Sequence, residues 1–159
     1  MEEKKKKLSM VVLSGDMDKI MAAFIIATGA AASNMDVTMF FTFWGLRAIK
    51  KPVNTGKSFL GKMIGFMYGG DITKAGPSKF NFYGMGRWMF KKMMASKGVL
   101  SLVEFRNLAI ELGVKLYPCS MTMDVLEITA NDFIEAAEPA VGVGFFISEA
   151  LESQITLFI

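Results

Sequence analysis

The only cysteine of the chain, Cys119, stands inside "VKLYPCSMTMDVLEIT" (residues 114–129), where a short apolar run ends in Pro118 and a helical pattern begins. A thiol at such a junction is a candidate nucleophile. The following helix aims free backbone N–H groups and its positive dipole end at the sulfur, and both favour thiolate. The absences narrow the chemistry further. Without any histidine, the Ser-His-Asp triad and the usual zinc sites are excluded. A single cysteine excludes an intramolecular disulfide framework and a Cys-x-x-Cys redox pair. No loop carries carboxylates spaced for Mg²⁺ or Ca²⁺, so neither a metal nor another cofactor is expected. A lone cysteine is also often just a small buried hydrophobe, and its position alone leaves both readings open.

Two further stretches invite an anion. "SGDMDK" (residues 14–19) falls where a first strand gives way to a first helix, the place at which open α/β sheets bind ligands and helix N–H groups are free. Gly15 and Asp16 are therefore candidate anion-holding positions, with a simple helix cap as the alternative. "TGKS" (55–58) looks like the end of a phosphate loop, but the first glycine of that motif would fall on Lys51. A flexible basic loop is the better account of it.

The elements that must position these residues follow from periodicity. "LSMVVLS" (8–14) and "DVTMFFTFW" (36–44) read as buried strands, "VKLYP" as the third, and "ITLFI" (155–159) as a last strand tucked into the domain. A short strand is expected around Pro139–Val143. Helices are expected over 15–33, 99–112, 120–128 and 144–153, with shorter ones at "GLRAIKK" and "DFIEAAE". Strands alternating with helices predict one α/β domain, residues 1–159, with a mostly parallel sheet.

Residues 52–98 break this rhythm as a helical and loop insert. They hold nine of the fifteen glycines and carry eight Lys or Arg against one acid, whereas residues 99–159 carry two against nine. Phe82, Met85, Trp88, Met89 and Met93, with Arg87, Lys91 and Lys92, resemble a basic amphipathic helix. Arg87, Trp88, Lys91 and Lys92 are thus candidate partner-binding residues. Packing against the domain or a neighbouring subunit is the main reading of this stripe, ahead of a transient partner or a membrane surface. No nucleic-acid module accompanies these side chains, and no nucleic acid is expected as a partner. Mean hydropathy is high at +0.38, but the longest apolar run, residues 20–33, falls short of the roughly 20 residues a bilayer crossing needs. The start, with Lys4 to Lys7, reads as a solvated tail without a cleavage-like ending, so a cytoplasmic protein is expected.

Taken in order, "LSGDMDK", "MFFTFWGL", "CSMTMDVL", "DFIEAAEPAVGVGFFISEA" and "ITLFI" resemble the DsrE/DsrF-like family of small sulfurtransferase-related proteins, nearest the branch with a Lys- and Met-rich insert. The resemblance spans nearly the whole chain. It implies a five-stranded, mainly parallel sheet with flavodoxin-like layering, and homo-oligomers that are often trimers or hexamers. It also implies a cysteine that carries sulfur as a persulfide and exchanges it with small TusA-like carriers. The position matching that cysteine is Cys119. The N–H groups of Ser120 and Met121 would then hold the thiolate or persulfide. A sulfur-relay protein is the leading expectation. The alternative is a non-catalytic oligomeric scaffold that touches a membrane surface through residues 80–95.

Overall fold

Four parallel strands form the centre of the computed structural model, which describes residues 5–159. They are β1 (Lys7–Val12), β2 (Asp36–Phe41), β3 (Lys115–Pro118) and β4 (Ile155–Phe158), in the order β3-β2-β1-β4. The inner strands β1 and β2 are buried along both faces after their first residue, as their unbroken apolar runs require. Part of the expected N-terminal tail, including Lys4, lies outside the described residues; Lys5 and Lys6 precede β1 without regular structure.

Helices cover both faces. On one, α1 (Met17–Ala32) and α4 (Leu102–Glu111) pack together over Met10, Val12, Met39, Phe41 and Leu116. Helix α4 starts at a capping box, with Ser101 and Glu104 each accepting the other's backbone N–H. On the other face, α6 (Val143–Leu151) brings Phe146 onto Val11 and Phe40. This second face is thinner and partly polar: Thr38 donates to Glu149, Ser9 meets Ser153, and Lys7 pairs with Glu152 at 2.7 Å.

Three expectations are corrected. The sheet has four strands rather than five. The segment around Pro139 runs beside β3 but makes only isolated bridges, Leu116 with Ala137 and Cys119 with Val141. Glu138 and Val141 donate to the carbonyls of Leu116 and Pro118, three residues against two, and this mismatch breaks the alternation that a continuous ladder needs. "DFIEAAE" is not a helix. Only a short 3-10 turn forms at Ala130–Asp132, because Asp132 caps Thr129 and the Ile134 N–H is drawn away to the carbonyl of Ile49. Finally, β4 lies on the sheet edge rather than inside, and Phe158 is 69% exposed.

Strand β2 also stops earlier than its apolar pattern suggests. After Thr42 the backbone turns at Phe43 (φ +43°) into a 3-10 helix, Phe43–Ile49. Gly45 lies directly on the carbonyl of Val12, where any Cβ would collide with backbone. The insert forms α2 (Phe59–Met67) and α3 (Met85–Ser96) with loops between them. Helix α2 is inside out. It buries Gly61 and Gly65 and turns Phe59, Leu60, Phe66 and Met67 outward.

Candidate functional site

Cys119 is the N-cap of the short helix α5 (Ser120–Leu126) at the carboxyl end of β3. Its own N–H closes the ladder to Phe41 at 2.9 Å. An N-cap side chain accepts from the second and third helical N–H groups, not from the first. That rule decides which neighbours serve the sulfur. Met121 and Thr122 occupy those positions, although no cap hydrogen bond reaches the sulfur here, whereas the Ser120 N–H donates to the carbonyl of Val141 at 3.0 Å.

Thr122, fully buried, extends the cradle. Its hydroxyl lies 2.9 Å from that of Thr42 and accepts from the Phe43 N–H at 3.3 Å. Burial pushes the Cys119 thiol up. Hydrogen bonding to the thiolate by the Thr122 N–H and hydroxyl, the Thr42 hydroxyl and the Met121 N–H outweighs this and holds the pKa below the ordinary thiol value. The sulfur is only 4% exposed, packed with Val11, Phe40 and Phe146 on the α6 face.

Gly15 and Asp16 stand elsewhere on the same strand-end rim. They line a shallow cleft with Ser14, Lys19, Trp44 and Tyr68, of which Cys119 is not part. The Asp16 N–H already bonds Ser14 Oγ, and the Met17 N–H bonds the carbonyl of Gly76. Tyr68 covers the turn. Its hydroxyl, donating to the carbonyl of Trp44 at 2.9 Å, occupies the space that a Cβ on Gly15 would need. Burial raises its pKa to about 12.

Helix α3 keeps Arg87, Trp88, Lys91 and Lys92 on the insert, away from the sulfur's packing cluster. Arg87 and Lys91 are partly engaged, donating to the carbonyls of Lys74 and Thr73, while Lys92 lies 5.2 Å over the Trp88 ring. The "TGKS" loop is not loose. The backbone N–H groups of Lys57 and Ser58 both donate to the Glu127 carboxylate, which tethers the insert to the end of α5. Hydrogen bonds from Ser58 and Lys57 hold the Glu127 pKa below its usual range.

Sequence reasoning missed Thr42 and Thr122. Thr122 was accessible in principle, three residues after an N-cap. Thr42 was not, since only the pairing of β2 with β3 brings it alongside.

With this geometry in hand, the chain was compared with known proteins. The model of the DsrE/DsrF/DrsH-like family matches residues 4–158. The chain belongs to this family. Among DsrE-like relatives, it is 44% identical over 161 residues to the uncharacterized protein YrkE of Bacillus subtilis, with all of both chains covered. It is 37% identical over 157 residues to the sulfur carrier protein DsrE2 of Allochromatium vinosum, covering 97% of this chain and 98% of that one. Two solved structures share the DsrE-like fold at 10% identity. The ychN protein of E. coli superposes with a TM-score of 0.56, over 97% of this chain and 99% of that one. The protein MTH1491 of Methanobacterium thermoautotrophicum does so with 0.54, over 98% and 100%. No helix among the described residues is long and apolar enough to cross a membrane.

Proposed function

We propose that this protein relays sulfane sulfur through Cys119. The observation that carries the reading is the N-cap placement of its only thiol beside Met121, Thr122 and Thr42, a setting that holds its pKa below the ordinary thiol value. Near-full-length similarity to a protein named as a sulfur carrier supports it. The Cys119 thiolate attacks the outer sulfur of a donor persulfide, R–S–SH. The S–S bond of the donor breaks, R–S⁻ leaves, and Cys119–S–SH forms. An acceptor thiolate then takes the outer sulfur and returns Cys119 to thiolate. The sulfur moves with no net oxidation, so the step needs no metal and no second cysteine. Met121 and Thr122 serve as the persulfide-holding donors, with Ser120 fixing the loop and Gly15–Asp16 shaping the neighbouring rim.

The acceptor in this reading is a small TusA-like carrier, met on the basic insert at Arg87, Trp88, Lys91 and Lys92. The protein works as a cytoplasmic homo-oligomer, a trimer or hexamer. The outward apolar face of α2, with Phe59 83% and Phe66 81% exposed, supports assembly, since such patches mark interaction surfaces. A second reading, an oligomeric scaffold touching a membrane surface through residues 80–95, draws on the same exposure of Trp88, Met89 and Met93 together with the burial of Cys119.

Incubation with a persulfide donor followed by intact-protein mass spectrometry tests the first reading. One added sulfur is expected on the native chain and none on Cys119→Ser. Failure to load from several donors, with a sulfur that resists alkylation in the folded protein, leaves the scaffold reading.

A further inference from the structure

The short basic segment after β2 was expected to be a helix, and two of its cations border one cleft. Lys50 is 5% exposed, and no hydrogen bond or ion pair to its Nζ is found among the described residues. Arg47 lies with its guanidinium 3.6 Å over the Tyr68 ring and gives one hydrogen bond to the Tyr68 carbonyl at 3.0 Å. Its Nε is buried without any partner. Neither cation has a carboxylate within 4.0 Å among the described residues. Both line one cavity, closed by Phe43, Thr55, Ile64 and Leu126.

Two positive side chains facing one space repel each other, and neither has a carboxylate in contact to offset this. A buried N–H donor without an acceptor adds to the same deficit. The cavity measures about 20 Å³, against the roughly 10–15 Å³ that one water requires. It therefore admits one or two heavy atoms and excludes a nucleotide, a sugar phosphate or a peptide carboxylate. The carboxylates that act on the pair from beyond contact, Asp16, Asp71 and Asp132, each hold other partners, Asp16 pairing with Lys19. Asp71 accepts from Thr73, and Asp132 from Thr129.

We infer that Arg47 and Lys50 form a binding site for a compact monovalent anion, a chemistry shared by chloride and hydrosulfide. The site stands apart from persulfide transfer, because Cys119 does not line it. It still adjoins the cradle: Phe43, which lines the cavity, donates its N–H to Thr122. An anion bound there offsets one of the two charges and fixes the 3-10 helix that carries Phe43.

The test uses the full chain carrying Cys119→Ser and Trp88→Phe, which removes the thiol and leaves Trp44 as reporter, its ring 4.6 Å from Tyr68. Sodium chloride and, separately, sodium hydrosulfide are titrated while gluconate, too large for the cavity, keeps ionic strength constant. A saturable change in Trp44 fluorescence is expected. The unfolding temperature should rise by about 5–10 °C between no anion and a hundredfold excess over Kd. Adding Lys50→Met should weaken binding at least tenfold (on the order expected for losing a charged hydrogen bond) without lowering the melting temperature in gluconate. Should that variant misfold, Lys50→Gln supplies the same comparison. Saturation at lower concentration by hydrosulfide than by chloride identifies a sulfur-anion site, and the reverse order a halide site. Flat titrations with both salts, or equal responses in the parent and the Lys50 variants, overturn the inference. Persulfide loading of the native chain is scored independently and can fail or succeed without touching this result.

Discussion

The sheet and the insert treat their apolar residues in opposite ways. In the sheet, Met10, Val12, Met39 and Phe41 are wholly buried between α1 and α4 on one side and the strand backbones on the other. In the insert, α2 and α3 bury little beyond glycine and hold Phe59, Phe66, Met67 and Trp88 outward. The sheet's hydrophobicity is used within the chain. That of the insert's two helices is not, so composition alone says nothing about where a stripe of Phe and Met will be satisfied. The insert is fixed to the body by Ile72 and Ala75, which enter the core, and by polar contacts: Asp18 accepts from Ser78 N–H and Oγ at 2.8 and 2.7 Å, and Glu127 accepts from Lys57 and Ser58.

The largest effects should expose this contrast. Phe41→Ala should cost about 3–5 kcal/mol of stability, read as a lower midpoint in urea unfolding. Phe66→Ala or Trp88→Ala should change the unfolding free energy of dilute protein by no more than about 0.5 kcal/mol. A large loss from Phe66→Ala that persists on dilution would mean that α2 is part of the core after all. If assembly uses α2, the Phe66 variant should instead lose the concentration dependence of its melting temperature.

Next in size is the cradle. Thr122→Val removes the hydroxyl that accepts from Phe43 and meets Thr42, at a cost of about 1–3 kcal/mol. The thiolate loses a donor in the same step, so the midpoint of the pH profile for alkylation of Cys119 should move upward. Thr122→Ser should restore it. A Val variant with an unchanged profile would show that the threonines merely pack.

Acid should separate the two regions. Asp18 and Glu127 both have folded pKa values below their ordinary ones. For Asp18, burial works upward but the Ser78 bonds prevail; for Glu127 the Ser58 and Lys57 bonds dominate. Their stabilising contributions are present in full above the unfolded pKa values of about 4 and are lost as pH falls through the lower folded values. Hydrogen exchange, corrected for intrinsic rates, should show Lys57, Ser58 and Ser78 losing protection in acid before the amides of β1 and β2. Simultaneous loss would mean that the insert and the sheet form one cooperative unit.

The smallest effect concerns charge. Lys91→Glu with Lys92→Glu should leave the fold intact and slow association with a TusA-like carrier by about tenfold at low ionic strength, less in high salt. Binding indifferent to both would confine these lysines to local contacts with Thr73 and Trp88.

How far the sequence anticipated this follows from the range of each interaction. Strands β1 and β2 were legible because a doubly covered parallel strand must be apolar throughout. The N-cap position of Cys119 was legible because it depends on adjacent residues. The end of β2 was not, since Thr42, Phe43 and Trp44 continue its apolar run and only the approach of Gly45 to Val12 turns the chain. The shared cleft of Arg47 and Lys50 was hidden for the same reason: "GLRAIKK" reads as a short basic helix until Tyr68 and Leu126, distant in sequence, pack beside it.

The segment around Pro139 has one further consequence. It lies against the β3 edge of the sheet, where the chain's own return segment makes only isolated bridges, while the β4 edge is left uncovered by any strand. A sheet stopped on one side and open on the other has a single growing end. If two copies join through β4, the pair is complete, because neither offers a second edge for a third copy to extend. Such joining terminates at two by geometry, without needing repulsive charges to halt it. An odd-numbered ring would therefore draw its contacts from surfaces away from the strand edges, and the inverted face of α2 offers one.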